Sequence, residues 1–255
     1  VALGFQAGQN TQGQGAIAIG SGAGSSTQGQ QSIAIGINAA FSGQGDIAIA
    51  IGGQAAGTGQ GRGAIAIGAS AGAINQGSAA IAIGFLTGYS TQGTNAVAIG
   101  NSTGQSGQQS GAIAIGYQAG AFGATVGSTQ GQGINAVAIG TAAGSTNQGT
   151  NTVAIGINAG QLSQGQNSVG VGGNAGKLNQ ASNATAVGTN AGFDTQLQYT
   201  VAVGYQAGMS FQASFGVAIG FAAGGNTQGG SAIAIGPNAG QTLQGLNAIA
   251  IGANS

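Results

Sequence analysis

Cysteine, histidine and tryptophan are missing from this chain, and proline occurs once, at Pro237. Without cysteine no disulfide or thiolate chemistry is open to it. Charge is almost as scarce: Asp46, Arg62, Lys177 and Asp194 are the only formally charged side chains, and they sum to zero. No Lys/Arg cluster exists to neutralise phosphates, which excludes nucleic acid as a partner. The two carboxylates fall about nine repeats apart, more than roughly 40 Å at strand spacing, whereas general acid–base work needs groups within reach of one substrate. The inventory therefore points away from an enzyme. Calcium would need several clustered carboxylate oxygens, and no cofactor motif stands out. No run approaches the roughly 18 consecutive apolar residues of a membrane helix, so membrane insertion is not expected. Collagen is excluded by the lack of proline and of a three-residue glycine period. Disorder is disfavoured because 42% of the chain is apolar and regularly placed.

What the chain has is glycine, 57 residues of it, and a repeat. The stretch AIAIG and its variants end at Gly4, Gly20, Gly36, Gly52, Gly68, Gly84, Gly100 and Gly116, then at Gly140, Gly156, Gly172, Gly188, Gly204, Gly220, Gly236 and Gly252. Each interval is 16 residues except the 24 between Gly116 and Gly140. The chain is thus sixteen copies of one unit with a single eight-residue insertion, within 117–133, that includes GAFGATVGSTQG. A period this short is the signature of a stacked solenoid. We expect one β-solenoid domain over 1–255, with the insertion a tolerated bulge. A start at Val1, inside a motif, suggests a segment of a longer or processed protein.

Counting from the motif glycine as 0, position +13 is Ile or Val except at Thr185, and +15 is always Leu, Ile or Val. Position +14 is Ala except at Gly170. Large, small, large over a few β-branched residues predicts a strand, since a helix would repeat at 3 and 4. Ala or Thr recurs at +3 and Gly at +4, which together with the glycine at 0 predicts a corner. Gln recurs at +8, usually before Gly: Gln12, Gln28, Gln44, Gln60, Gln76, Gln92, Gln108, Gln148, Gln164, Gln180, Gln196, Gln212, Gln228 and Gln244, with Gln132 keeping phase in the lengthened copy.

One coil per unit would stack each strand on the last in a parallel sheet about 4.8 Å per step. The Gln column is then expected as an internal ladder of side-chain amides. Hydrophobicity suggests that Ile19, Ile35, Ile51, Ile67, Ile83, Ile99, Ile115, Ile139 and Ile155 form the core ladder. On that reading Ala18, Ala34, Ala50, Ala66, Ala82, Ala98, Ala114, Ala138 and Ala154 face outward as a flat apolar band for self-association, and charging Ala66, Ala82 and Ala98 would dissolve assemblies while sparing the fold. Open coils would add end-to-end growth.

The recurring NAVAIG (95–100 and 135–140), NTVAIG (151–156) and NSVGVG (167–172), each with Ala at +3, resemble the head repeats of YadA-like trimeric autotransporter adhesins. The NQG…AIAIG…AG phrasing is also similar to Gly/Gln-rich repeat proteins of large DNA viruses and environmental microbes. The adhesin resemblance implies a left-handed parallel β-roll, three chains side by side, an extracellular or cell- or virion-surface location, and host matrix, glycan or cells as partners. This chain departs from that family in its 16-residue unit, where 14 is usual, and in the added Gln-Gly signature.

Function is expected to be structural: a rod that pairs with itself as a fibre, filament or adhesin head. Two alternatives stay open. Variable corner residues could bind a surface ligand, or a flat face could bind ice, although the Thr column at +7 (Thr11, Thr27, Thr91, Thr195, Thr227) is interrupted. The aromatic residues, among them Tyr89, Tyr117, Tyr199, Tyr205, Phe85 and Phe221, are expected as scattered rim residues, and Asn101-Ser102-Thr103 reads as a glycosylation-type sequon on a corner.

Overall fold

A computed structural model describes residues 1–122 and 131–255; residues 123–130, the bulk of the expected bulge, lie outside the described set. Among the described residues every regular element is a short β-strand, all pairing is parallel, and no helix occurs. The protein is a β-solenoid with one coil per 16 residues. The register shows this directly: Ile65 lies beside Ile81, Ala66 beside Ala82 and Ile67 beside Ile83. On the opposite wall Gln60 lies beside Gln76.

The chain forms two compact units, Val1–Ile134 and Asn135–Ser255. In the first, eight AIAIG strands run from Ala2–Leu3 to Ile113–Ile115, and seven Gln-bearing strands from Thr11–Gln12 to Ser106–Gln108. In the second, eight apolar strands run from Val137–Ile139 to Ile249–Ile251. Its Gln wall is a three-stranded sheet ending at Leu178–Gln180 and a two-stranded one beginning at Asn226–Gln228, linked by single-residue bridges through Gln196 and Gln212.

Sixteen residues can close a coil only because the corners bend sharply through left-handed backbone. Gly36 has φ +129°, and a Cβ there would stand 2.6 Å from the carbonyl oxygen of Gly52 in the next coil. That position is closed to every other residue. Three further sites in most coils are left-handed without requiring glycine, at +2, +7 and +11, and asparagine is common at all three, as in Asn158 (φ 53°), Asn147 (φ 52°) and Asn167 (φ 56°). Asparagine tolerates this region because its short amide bonds locally.

The expected core is inside out. Ala18, Ala34, Ala50, Ala66, Ala82, Ala98, Ala114, Ala138 and Ala154 are fully buried, together with most of the alanines at +3 and at +12. Ile19, Ile35, Ile51, Ile67, Ile83, Ile99, Ile115, Ile139 and Ile155 point outward, half-buried by their neighbours in the column, with Ile67 still 37% exposed. The reason is the narrow bore. The Gln side chain spans the coil to the facing strand, where Gln44 Nε2 donates to Ile33 O at 2.8 Å. With the walls that close, only Ala, Ser, Thr or Gly fits between them, and glutamate at Ala66, Ala82 or Ala98 would break the coil instead of releasing a partner.

Candidate functional site: an outward aliphatic face on a glutamine spine

The spine is built from one residue type in one repeating geometry. Gln60 Nε2 donates to Ile49 O at 2.8 Å, to Ala64 O at 3.2 Å and to Gln76 Oε1 at 3.1 Å. Gln76 repeats the pattern toward Gln92, and Gln92 toward Gln108. In the first unit the row runs from Gln44 to Gln132, where Gln108 donates across the inserted stretch at 3.0 Å. In the second it runs from Gln148 through Gln164, Gln180, Gln196, Gln212 and Gln228 to Gln244. Each inner amide thus serves backbone and neighbour together, which removes the penalty of burying a polar group. Each row begins with a buried acceptor that has no partner, Gln44 Oε1 in the first unit and Gln148 Oε1 in the second, and Gln28, ahead of the first row, has an unpartnered Oε1 as well.

With the spine and alanines filling the interior, the β-branched residues at +13 and +15 are left outside. They stand in two columns, side by side on each three-residue strand, and Ile over Ile along the stack. In either unit eight such strands, spaced about 4.8 Å, extend the face over roughly 35 Å. No charged residue occupies +13 or +15 in any coil. An aliphatic surface of that extent, unbroken in the first unit and interrupted at +13 by Thr185 in the second, is more than scattered surface apolar residues account for.

Aromatic residues frame part of this face. In the second unit Tyr199 and Phe215, at +11, stack at 5.3 Å, and Tyr205 and Phe221, at +1, stack at 5.4 Å. They flank the strands Val201–Val203 and Val217–Ile219 on either side. The sequence showed these rings as scattered, yet their separation by one period was the available signal. Asparagine columns were overlooked for the same reason: Asn174 Nδ2 donates to Asn190 Oδ1 at 3.0 Å, and Asn151 Nδ2 to Asn167 Oδ1 at 3.3 Å.

Three of the four charged residues make local contacts. Asp46 Oδ1 accepts from Gln30 N of the preceding coil at 2.8 Å. Asp194 Oδ1 caps Thr195 N at 2.8 Å, and Lys177 Nζ stands 5.3 Å from the centre of the Phe193 ring. Thr103 of the sequon is buried and donates its hydroxyl to Gly116 O. Among the described residues no three His, Cys, Asp or Glu side chains gather as a metal site, and no helix is long and apolar enough to cross a membrane. No protein-family model and no curated protein matches this chain.

Proposed function

We propose that this is a structural, non-enzymatic repeat protein that assembles with copies of itself through the Ile/Val columns. The outward aliphatic face carries this reading. A second copy fits it best because the columns repeat at the strand spacing, and another sheet of the same pitch can interdigitate with them coil after coil. Both surfaces are uncharged, so apposing two copies meets no like-charge repulsion. Sheets packed this way stand about 10 Å apart and exclude water.

The test places charge on the face and leaves the interior alone. In Ile67→Glu/Ile83→Glu/Ile99→Glu, sedimentation velocity should show the native oligomer shifting to a monomer, with the β-sheet circular dichroism unchanged. A native protein that sediments as a monomer at tens of micromolar concentration, or a triple variant that keeps its oligomer, overturns the proposal.

A further inference from the structure

On another edge of the coil in the first unit, position +5 carries Phe41, Gly57, Ala73 and Tyr89 in successive turns. The two small residues leave a gap in the column, and the result is a groove of about 360 Å³ with an aromatic side chain at each end. Three coil steps separate the aromatic positions, about 14 Å at strand spacing. Asn38, Gln54 and Thr58 supply amide and hydroxyl groups along the rim. No charged side chain lines it.

The geometry points to a binding site for a neutral saccharide chain, held between Phe41 and Tyr89 with Asn38, Gln54 and Thr58 bonding its hydroxyls. The volume lies in the range of small-molecule sites, apolar walls with a few polar groups are what such sites present, and aromatic rings cover the C–H faces of sugars. The lack of charge selects against phosphorylated or acidic ligands, which would lose hydration without a counter-ion. The amide rim selects against a wholly apolar ligand, which would leave those groups unpaired. Elsewhere on the molecule the paired rings Tyr199/Phe215 and Tyr205/Phe221 stack on each other and leave no gap between them. The groove involves no residue at +13 or +15, so it is independent of the self-association face.

Calorimetric titration of the full chain with neutral β-1,4- and α-1,4-linked hexasaccharides tests this, with a fatty acid and a phosphorylated sugar as rival probes. Binding of at least one neutral hexasaccharide is expected, weakened tenfold or more in Tyr89→Ala and Phe41→Ala and unchanged in Tyr205→Ala. Ala73→Phe closes the gap at a position where other coils already carry rings, so it should fold and lose binding. The inference fails if no neutral hexasaccharide binds, if only a rival probe binds, if Ala73→Phe binds normally, or if Tyr205→Ala weakens binding as much as Tyr89→Ala.

Discussion

A buried glutamine in this protein is worth what its neighbours make of it. Gln92 receives from Gln76 and donates to Gln108 and to Ile81 O, so replacing it leaves a donor and an acceptor orphaned on either side. Gln28 donates to Ile17 O but its Oε1 accepts nothing. Gln92→Met should therefore cost about 2–4 kcal/mol, and Gln28→Met about 1 kcal/mol or less, although shape and burial are alike. Urea unfolding of the two variants side by side checks this. A second residue-scale expectation concerns Ile47, a β-branched residue held at φ 51° where other coils carry asparagine. Ile47→Asn should raise stability by about 1 kcal/mol, read as a higher thermal midpoint. Much of this scale was open to inspection of the sequence, because the fixed phase of Gln marked it as internal. Asparagine was not read so, because its role lies in backbone conformation and not in polarity.

At the scale of the strand, hydrophobicity misled and size would not have. The period-2 pattern located each strand and its register, but the choice of inner face followed the larger residues. The restriction that mattered was at +14, where Ala gives way only to Gly170, while +15 passes among Leu, Ile and Val and +13 admits Thr185. A position that accepts only the smallest side chains is hemmed in on all sides. The same logic predicts opposite tolerances one residue apart. Ala82→Leu has no room in a bore set by Gln92 and should cost about 3 kcal/mol or more. Ile83→Leu, on the outside, should cost about 1 kcal/mol or less. Hydrogen exchange of the coils around both sites distinguishes the two, since damage to a solenoid stays local. The outward face itself was not legible, because nothing in a single coil reveals that its walls are too close for isoleucine.

For the whole molecule the repeat is the governing fact, and it survives interruption. Gln132 rejoins the row although 24 residues separate it from Gln108, where 16 is the rule. Contacts in a solenoid are between adjacent coils, so removing one complete coil should join like to like. Deleting residues 157–172 places Gly173 after Gly156, restores every column and is expected to leave a folded protein with native β-sheet circular dichroism. Deleting 157–164 would set a Gln corner where an Ala corner belongs and should abolish the cooperative thermal transition of the second unit.

The row of amides also has a direction. From Gln44 to Gln132 and from Gln148 to Gln244, the side-chain nitrogen gives its proton to the residue of higher number at every step. Small dipoles aligned head to tail reinforce one another, so the interior is electrically polar along the stack even though its formal charge is zero. A coil spliced in backwards would confront donor with donor, and grafts onto this scaffold should succeed in a single orientation.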